Sequence, residues 1–302
     1  MDRTGDVRVS KCGYVAILGR PNVGKSTLLN VFVGQQLSIV TPKPQTTRNR
    51  VFGIYTTDEV QAIFLDTPGI LEPKYRLQEA MVKQIDKAIG DADVLIFIVD
   101  ITDLANSFDQ ILQRKLTKVW KPTVLALNKI DLVKEKAISQ AAERLSEFQK
   151  SAEVACISAL RGDGLDRLRT LLEKLLPEGP FLYPPDVIST QPERFFVAEL
   201  IREELFNRLR QELPYATAVK VDEFKENEEG KAYIRAIIFV EKPSQKGIII
   251  GTSGEVLKRI GTASRQKIEL FLKRQVYLDL WVKVRKNWRK KDFDLREFGY
   301  IG

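Results

Sequence analysis

The first part of the chain alternates short apolar runs with longer segments of helical periodicity. Buried strands are predicted where apolar residues run together, at 14–18, 94–99, 123–127 and 154–157. Helices are predicted where apolar residues recur every three or four positions, at 26–32, 75–89, 109–120, 137–149 and 165–176. Two β-rich stretches, 51–56 and 62–65, are separated by polar residues and predict an antiparallel pair. This order predicts an α/β domain whose mostly parallel sheet is covered on both faces.

The pattern breaks at PEGPFLYPPD, residues 177–186, where prolines and glycine predict a boundary between domains. We therefore predict a flexible tail at 1–10, a first domain at 11–178, a linker at 179–192 and a second domain at 193–302. The second domain changes its order of elements. Its predicted elements are a helix at 193–211, strands at 216–223 and 233–241 joined by a polar ENEEG turn, helical pieces at 246–250 and 255–271 flanking GTSG, and a strand at 276–284. This order predicts an α+β fold.

Composition narrows the class of protein. The 302 residues are enough for about two domains, and no apolar run approaches the roughly 20 residues of a membrane span. The two cysteines, Cys12 and Cys156, lie in apolar contexts and predict buried free thiols. The chain has no histidine, which excludes a histidine general base, a Ser-His-Asp triad and a histidine metal site.

The net charge of +8 is unevenly distributed. Residues 246–302 carry 14 basic and 6 acidic residues, whereas the rest of the chain carries 34 of each sign. Such asymmetry indicates a polyanionic partner of the last segment, either nucleic acid or an acidic membrane. A solvated basic face would account for the charge alone equally well.

One segment between a predicted strand and a predicted helix has the phosphate-loop pattern G-x-x-x-x-G-K-[ST], from Gly19 to Ser26. Its glycines let backbone N–H groups turn towards phosphate oxygens, and the following helix adds its positive end. Lys25 supplies a charge for the β- and γ-phosphates, and the Ser26 hydroxyl can ligate Mg²⁺. The predicted phosphate-binding residues are Gly19, Arg20, Pro21, Asn22, Val23, Gly24, Lys25, Ser26 and Thr27.

A second motif, Asp66-Thr67-Pro68-Gly69, follows the apolar residues AIFL. An aspartate at the carboxyl end of a sheet strand points into the nucleotide crevice, where it can hold Mg²⁺ through water. The N–H of Gly69 can face the γ-phosphate. Alone, this motif is equally consistent with a simple turn.

The third motif, Asn128-Lys129-Ile130-Asp131, follows the predicted strand TVLAL. The Asp131 carboxylate can accept from N1–H and the 2-amino group of guanine, a pair of donors that adenine lacks. Asn128 is predicted to contact the base and brace the loop. Ser158, Ala159 and Leu160, after another strand, are predicted to add a backbone N–H to the guanine carbonyl.

These motifs, in this order, resemble the set found in translation-factor-related GTPases. The resemblance implies that Thr47, in the segment Thr46-Thr47-Arg48, ligates Mg²⁺ together with Ser26 and Asp66. The tandem threonines leave the register open by one residue. The resemblance also implies hydrolysis of GTP to GDP and phosphate, in which Lys25, Asn22, Thr47 and Gly69 act on the phosphates.

Two residues make the reaction unusual. Many GTPases place a water-orienting glutamine directly after the equivalent of Gly69, but this chain has Ile70. We therefore expect slow intrinsic hydrolysis, with activation by RNA, the ribosome or an ion. In related GTPases an asparagine at the position of Asn22 helps to hold K⁺ against the phosphates. The alternative is that Asn22 only stabilises the turn.

The GTSG segment is a weak motif alone, but its place between two helical pieces is similar to a type II KH domain. There a GxxG loop lets the nucleic-acid backbone approach closely, and a groove holds about four nucleotides. Neighbouring isoleucines can serve the groove or the core, and Trp288 can stack on a base or fill the core. The predicted RNA-binding residues are Lys246, Ile250, Gly251, Thr252, Ser253, Gly254, Lys258, Arg259, Arg265, Lys283 and Arg285.

A GTPase domain followed by this KH domain resembles the Era family of ribosome-assembly GTPases, and the segments IIIGTSGEVLKRIGTASR and LWVKVRKNW strengthen the match. The resemblance implies binding to the 3′ end of small-subunit 16S ribosomal RNA, a role in 30S assembly, a cytoplasmic location and peripheral association with the cell membrane. We expect a monomer. The alternative is a peripheral membrane GTPase whose basic C-terminus binds anionic lipid; its charges should then lie on one amphipathic helix.

Overall fold

The computed structural model describes residues 10–226 and 231–301. The predicted tail, apart from Ser10, and the predicted ENEEG turn, apart from Glu226, lie outside these residues. The chain forms two compact units. The first runs to Ser38 and includes Thr47–Glu72 and Val82–Thr190, and the second comprises Ile39–Thr46, Pro73–Met81 and the residues from Gln191 onward.

A six-stranded sheet with the strand order β2-β3-β1-β4-β5-β6 organises the first unit. Its strands are β1 Lys11–Gly19, β2 Val51–Thr56, β3 Val60–Asp66, β4 Val94–Asp100, β5 Thr123–Asn128 and β6 Glu153–Ile157. Only β2 and β3 pair antiparallel, and the other neighbours are parallel. Every residue of β4 is buried, as expected for a central strand covered on both faces. The predicted mostly parallel α/β fold is therefore confirmed.

The helices that connect these strands follow the sequence closely. They are α1 Lys25–Val33, α2 Arg76–Asp91, α3 Leu104–Ser107, α4 Gln110–Leu116, α5 Glu135–Phe148 and α6 Leu165–Leu175. The predicted helix at 109–120 is shorter than expected. Asp109 caps its start by accepting from the N–H groups of Ile111 and Leu112, and the helix ends before the residues that lead to Pro122.

The parallel register brings the predicted motifs to one edge of the sheet. Asp66 at the end of β3 is aligned with Ile17 of β1, and Gly19 at the end of β1 is aligned with Ile98 of β4. Asp100 and Asn128 are aligned at the ends of β4 and β5. Because carboxyl ends of parallel strands share an edge, one crevice collects loops that are far apart in sequence.

The connection at 178–189 lies against the first unit and is held there by the buried side chain of Gln61. The Gln61 Oε1 accepts from the N–H groups of Leu182 (2.9 Å) and Tyr183 (3.0 Å), while its Nε2 donates to the Tyr183 carbonyl (2.7 Å). The N–H of Ile54 also donates to the carbonyl of Ile188 (2.8 Å). The connection therefore covers the edge strand β2, whose backbone groups would otherwise be open to pairing.

The second unit contains a three-stranded sheet with the order β7-β8-β9. Its further elements are α7 Glu193–Arg208, β7 Ala218–Glu226, β8 Ala232–Val240, α8 Pro243–Ile250, α9 Glu255–Leu272, β9 Val276–Val284 and α10 Asp292–Glu297. Strands β7 and β8 are antiparallel, and β8 and β9 are parallel. Helix α7 ends earlier than predicted, at Arg208, because Leu209 leaves helical backbone and buries its side chain. Trp288 is fully buried and its indole N–H donates to the Ala216 carbonyl, so it belongs to the core.

The segment Ile39–Thr46 is held inside the second unit by two basic side chains. The buried guanidinium of Arg202 donates to the carbonyl of Thr46 and is paired with Glu199. The ammonium of Lys43 donates to the carbonyls of Phe206 and Leu209 at the end of α7, where carbonyls lack helical partners. The backbone of this segment is thereby fixed by charge-assisted bonds.

None of the helices in residues 10–226 and 231–301 combines the length and the hydropathy that are needed to span a lipid bilayer.

Candidate functional site

The phosphate loop runs from the end of β1 to the start of α1. Gly24 has φ 105°, and a Cβ at this position would come 2.2 Å from Nδ2 of Asn128, so only glycine fits. Lys25 is buried, and its ammonium donates to the carbonyl of Arg20 at 2.9 Å. Burial lowers the pKa of Lys25 to about 8, and neighbouring phosphate oxygens would stabilise its charged form.

Three oxygen-bearing side chains meet at the start of α1. The Ser26 hydroxyl donates to Oδ2 of Asp66 at 2.7 Å and lies 3.1 Å from the hydroxyl of Thr47. Oδ1 of Asp66 is buried without a hydrogen-bond partner, and burial raises the pKa of this carboxyl. A hard cation satisfies such an atom, and the oxygen set fits Mg²⁺. Thr47 rather than Thr46 lies beside Ser26, which favours Thr47 as the ligand, and its role in binding Mg²⁺ stays a prediction.

The DTPG segment packs directly on the phosphate loop. A Cβ on Gly69 would come within 2.7–2.9 Å of Pro21 atoms, so the backbone of Gly69 lies against the loop. The hydroxyl of Thr67 donates to the carbonyl of Ile17 at 2.7 Å. Ile70 is buried, and its N–H donates to the carbonyl of Gly19 at 2.9 Å. The side chain after Gly69 is therefore both apolar and fixed, and it cannot orient a water molecule.

Asn128 braces the guanine end of the crevice, as the sequence predicts. Its Nδ2 donates to the carbonyl of Val23 at 2.8 Å, and its Oδ1 accepts from the N–H of Ala159 at 2.9 Å. The N–H of Ala159 is thus engaged by Asn128 in this structure. Asp131 has a nearly buried carboxylate 3.5 Å from Nε of Arg161. Ser158 is buried, whereas the Leu160 side chain projects into solvent.

Two residues of this crevice were not singled out by the sequence analysis. Asp100 accepts from the ammonium of Lys129 and from the N–H and hydroxyl of Thr102, at 2.9 and 2.6 Å. It thereby fixes the side chain of Lys129 across the base-binding loop. The sequence signal was available, because Asp100 ends a buried strand in the same way as Asp66. Arg161, which faces Asp131, carries no comparable signal.

Asn22 is exposed and has φ 65° in the phosphate loop. Asparagine tolerates this left-handed conformation better than most residues do. The geometry is therefore compatible with the turn-stabilising role, and the ion-holding role stays a prediction.

A groove of about 390 Å³ lies beside the GxxG loop of the second unit. It is lined by Gly254, Leu257, Lys258, Gly261, Thr262 and Arg265 of the loop and α9, and by Leu278 and Leu280 of β9. Gly251 has φ 73° and ψ 177°, and a Cβ there would lie 2.5 Å from Val256 Cγ2. Gly254 has φ 81° and open space around its Cα hydrogen. The glycines thus permit a loop shape and a close approach that side chains would prevent.

The groove brings together only part of the predicted RNA-binding set. Gly254, Lys258 and Arg265 line it, and Gly251, Thr252 and Ser253 form the adjacent loop. Lys246 and Ile250 lie on α8, and the exposed Arg259 pairs with Glu255.

Two predicted RNA-binding residues lie elsewhere. Lys283 faces away from the groove, because it alternates along β9 with Leu278 and Leu280. The guanidinium of Arg285 is paired with Asp294 and Glu297. The groove therefore does not include these two residues, and their role in RNA binding stays a prediction.

The groove also contains residues that the sequence analysis missed, namely Leu257, Gly261, Thr262, Leu278 and Leu280. The spacing of Gly254, Leu257, Lys258, Gly261 and Arg265 follows one helical face, which is the signal that could have found them. Gly261 inside a helix is unfavourable by about 1 kcal/mol relative to alanine, and here it deepens the groove.

Both units resemble families of known proteins. Residues 14–129 match the family described as 50S ribosome-binding GTPase, and residues 212–289 match the KH domain. GTPase Era of Thermotoga petrophila is 46% identical over 293 residues, which cover 96% of this chain and 97% of the relative. GTPase Era of Halothermothrix orenii is 44% identical over 97% of this chain and 99% of the relative.

Two solved structures cover 97% of this chain and all of their own chains, each at 41% identity. A point variant of Aquifex aeolicus Era bound to GDP and AlF4⁻ has a TM-score of 0.92. Era in complex with MgGDPNP and nucleotides 1506–1542 of 16S ribosomal RNA has a TM-score of 0.93.

Proposed function

The chain belongs to the Era family of GTP-hydrolysing enzymes, and from this premise we propose that it couples its nucleotide state to the 3′ end of 16S ribosomal RNA during 30S subunit assembly. The observation that carries the proposal is the groove beside Gly254, where Lys258 and Arg265 flank an apolar floor. A relative of this fold has been crystallised with nucleotides of that RNA.

Different residues of the first unit contact the phosphates, the base and the metal ion of bound GTP. Lys25 and the N-terminal end of α1 stabilise charge on the β- and γ-phosphates, and the N–H of Gly69 faces the γ-phosphate. Asp131 accepts from guanine N1–H and the 2-amino group, which selects GTP over ATP. Ser26, Thr47 and Asp66 would hold Mg²⁺, which would supply positive charge against the charge that develops on the phosphates. Because Ile70 cannot orient water, intrinsic hydrolysis is slow and depends on an activator.

We further propose that Asn22 helps to hold K⁺ against the phosphates. The support is electrostatic: positive charge near the β–γ bridge lowers the barrier, and the position after Gly69 offers only an apolar side chain. A K⁺ ion held at the phosphate loop would supply this positive charge, so no arginine side chain from a partner protein would be needed.

A change at the bound nucleotide can reach the second unit through the peptide bond between Thr46 and Thr47. Thr47, in the first unit, lies beside Ser26, and the preceding residue Thr46 belongs to the second unit, where Arg202 holds its carbonyl. A movement of Thr47 when the γ-phosphate is lost is therefore passed directly to the Thr46 backbone. This continuity supports a switch whose output is RNA binding.

The groove suits single-stranded RNA. Lys258 and Arg265 lie on one face of α9, two helical turns or about 10 Å apart, and can each contact a phosphate. The apolar floor between them accepts bases, and grooves of this type hold about four nucleotides. Assembly of 30S subunits takes place in the cytoplasm, where we place the protein. Peripheral membrane association and a monomeric state stay predictions.

Filter binding of the full chain to a 16S 3′-end oligonucleotide, in parallel with anionic liposomes, tests the proposal. Gly254→Asp adds negative charge where phosphate would lie, and should weaken RNA binding at least about tenfold, a loss of about 1.4 kcal/mol. Gly254→Asn has nearly the same shape and tolerates positive φ, so it should retain binding. Equal RNA binding by both variants and the parent would refute the groove. Binding to liposomes but not to RNA would favour the membrane alternative.

A further inference from the structure

The outer face of the three-stranded sheet carries exposed aromatic rings that the proposed function does not use. Side chains along β9 alternate between two sides. Leu278 and Leu280 line the groove, whereas Tyr277 and Trp281 point to the opposite side and are 68% and 54% exposed. Rings exposed singly need no explanation, whereas two exposed rings on one face of a sheet form a patch of the kind that marks an interaction site.

These rings are held in place by their neighbours. Tyr277 stacks on Tyr233 of β8 with ring centroids 5.7 Å apart and planes inclined by 13°. The indole N–H of Trp281 donates to Oδ2 of Asp279 at 2.9 Å. The same oxygen accepts from Nε of Arg235 and from the Tyr233 hydroxyl, both at 3.2 Å. Rings fixed before binding lose little conformational entropy when a partner arrives.

The charge of this face favours a polyanion. Residues that pair across the sheet share a face, which places Lys225 with Tyr233 and Tyr277, Glu223 with Arg235 and Asp279, and Lys220 with Trp281. The charges on this face are Lys220, Lys225, Arg235 and Lys283 against Glu223, Asp279 and Glu297, the last of which belongs to α10 and pairs with Lys220. The basic excess, together with arginine beside aromatic rings, is typical of surfaces on which bases stack.

The face is continuous with the groove through one strand. Strand β9 is at the edge of the sheet and contributes to both surfaces. A single strand that leaves the groove has only to cross this edge to reach Tyr277 and Trp281, which lie about 13 Å apart along the strand.

We propose that the outer face, around Tyr277 and Trp281, is a second RNA surface that stacks bases flanking the segment held in the groove. This proposal rests on the proposed function, because it extends the same bound strand. The groove would hold about four nucleotides, and each of the two rings would stack on one further base.

Trp281 provides its own fluorescent probe. The substitution Trp120→Phe removes a tryptophan that is 96% exposed in the first unit, and the remaining Trp288 is fully buried. In this background, a single-stranded RNA 12-mer from the 16S 3′ end, centred on the tetranucleotide of that RNA that the chain binds most tightly, should quench Trp281 fluorescence. The central 4-mer alone should bind without quenching. Absence of quenching by a bound 12-mer would overturn the proposal.

Alanine variants separate the two surfaces. Tyr277→Ala and Trp281→Ala should each weaken the 12-mer about tenfold and leave the 4-mer affinity unchanged, because stacking contributes about one to two orders of magnitude per base. Trp281→Phe should retain most of the affinity. Phe293→Ala removes an exposed ring on α10 and serves as the matched control.

Unchanged 4-mer binding also reports that each variant is folded. If all variants bind the 12-mer as the parent does, the outer face is not an RNA surface. If the parent binds neither RNA, the groove itself is wrong, which contradicts the proposed function rather than only its extension.

Discussion

The side-chain amide of Asn128 donates to the carbonyl of Val23 at 2.8 Å, which joins the base-binding loop to the phosphate loop across 105 positions of sequence. The other side of the same amide accepts from the N–H of Ala159. One buried side chain thus holds three loops at the edge of the sheet. The position of the phosphate-binding loop and the position of the base-binding loop therefore depend on each other.

Asn128→Ala should weaken GDP and GTP binding at least about tenfold, because it leaves a buried carbonyl and a buried N–H unpaired at about 1–3 kcal/mol each. Titration with a fluorescent GDP analogue measures the loss. Asn106→Ala removes an exposed asparagine of the same unit and should bind as the parent does. Parental affinity in Asn128→Ala would show that the brace is dispensable.

Asp131→Asn should change base preference rather than abolish binding. The carboxylate accepts from two guanine donors, whereas an amide presents one acceptor and one donor, which suits xanthine with its 2-oxo group. We expect GTP affinity to fall by roughly 10²-fold or more, as for other sites left with unpaired polar groups, and XTP affinity to rise. Competition between the two nucleotides measures the switch. Loss of affinity for both would indicate that Asp131 acts through Arg161 and loop structure instead.

Thr47→Ala should reduce GTP turnover and raise the Mg²⁺ concentration needed for it, because Thr47 rather than Thr46 lies beside Ser26. Even groups that only support metal ligands cost about 10- to 100-fold in metal affinity or activity when they are mutated, so the loss of a direct ligand should be at least that large. Thr46→Ala is the matched control, since the Thr46 carbonyl bound by Arg202 is retained. Phosphate release as a function of Mg²⁺ distinguishes them, and the reverse ranking would contradict the assigned register.

Asn22 should confer a K⁺ response on hydrolysis. Asn22→Gly removes the amide but accepts φ 65° without strain, whereas Asn22→Ala also strains the loop by about 1–2 kcal/mol. Turnover is compared in K⁺ and Na⁺. If K⁺ stimulates the parent and neither variant, the side chain holds the ion. A parental K⁺ response in Asn22→Gly, with a defect confined to Asn22→Ala, would leave Asn22 a turn residue.

Gln61→Leu should destabilise the first unit by about 1–3 kcal/mol, because it leaves backbone groups of Leu182 and Tyr183 without their partner. Urea unfolding followed by circular dichroism measures the change in the free energy of unfolding. The exposed Gln110→Leu should stay within about 0.5 kcal/mol of the parent. A similar small effect at Gln61 would mean that the connection at 178–189 is held by other contacts.

The sequence predicted the α/β order of the first unit and its phosphate-loop, DTPG and NKID motifs. Each of these features depends only on residues that are neighbours in the chain. Apolar runs define buried strands, and a loop motif occupies the end of the strand that precedes it. Asp66 and Asn128 were therefore predicted at one edge of the sheet before their contacts were known. Asp100 carries the same signal in the sequence, because it also ends a buried strand, and its contact with Lys129 shows what that position does.

Other outcomes were decided by side chains meeting residues far away in sequence. The tandem threonines are equivalent locally, and only packing places Thr47 beside Ser26. Trp288 is among basic residues in sequence, yet its indole reaches the Ala216 carbonyl in the core. The positive charge of Arg285 is satisfied by Asp294 and Glu297.

The sequence by itself determined the class of both units, the nucleotide that the first unit is built to hold and the loop around which the second forms a groove. Tertiary structure alone decided which threonine faces the metal ligands, which basic residues reach the groove and which rings are left on the outer face of the sheet. The physical reason is that local periodicity and turn chemistry specify an element and its ends. The partner that a side chain finds depends on which distant surface the fold brings against it.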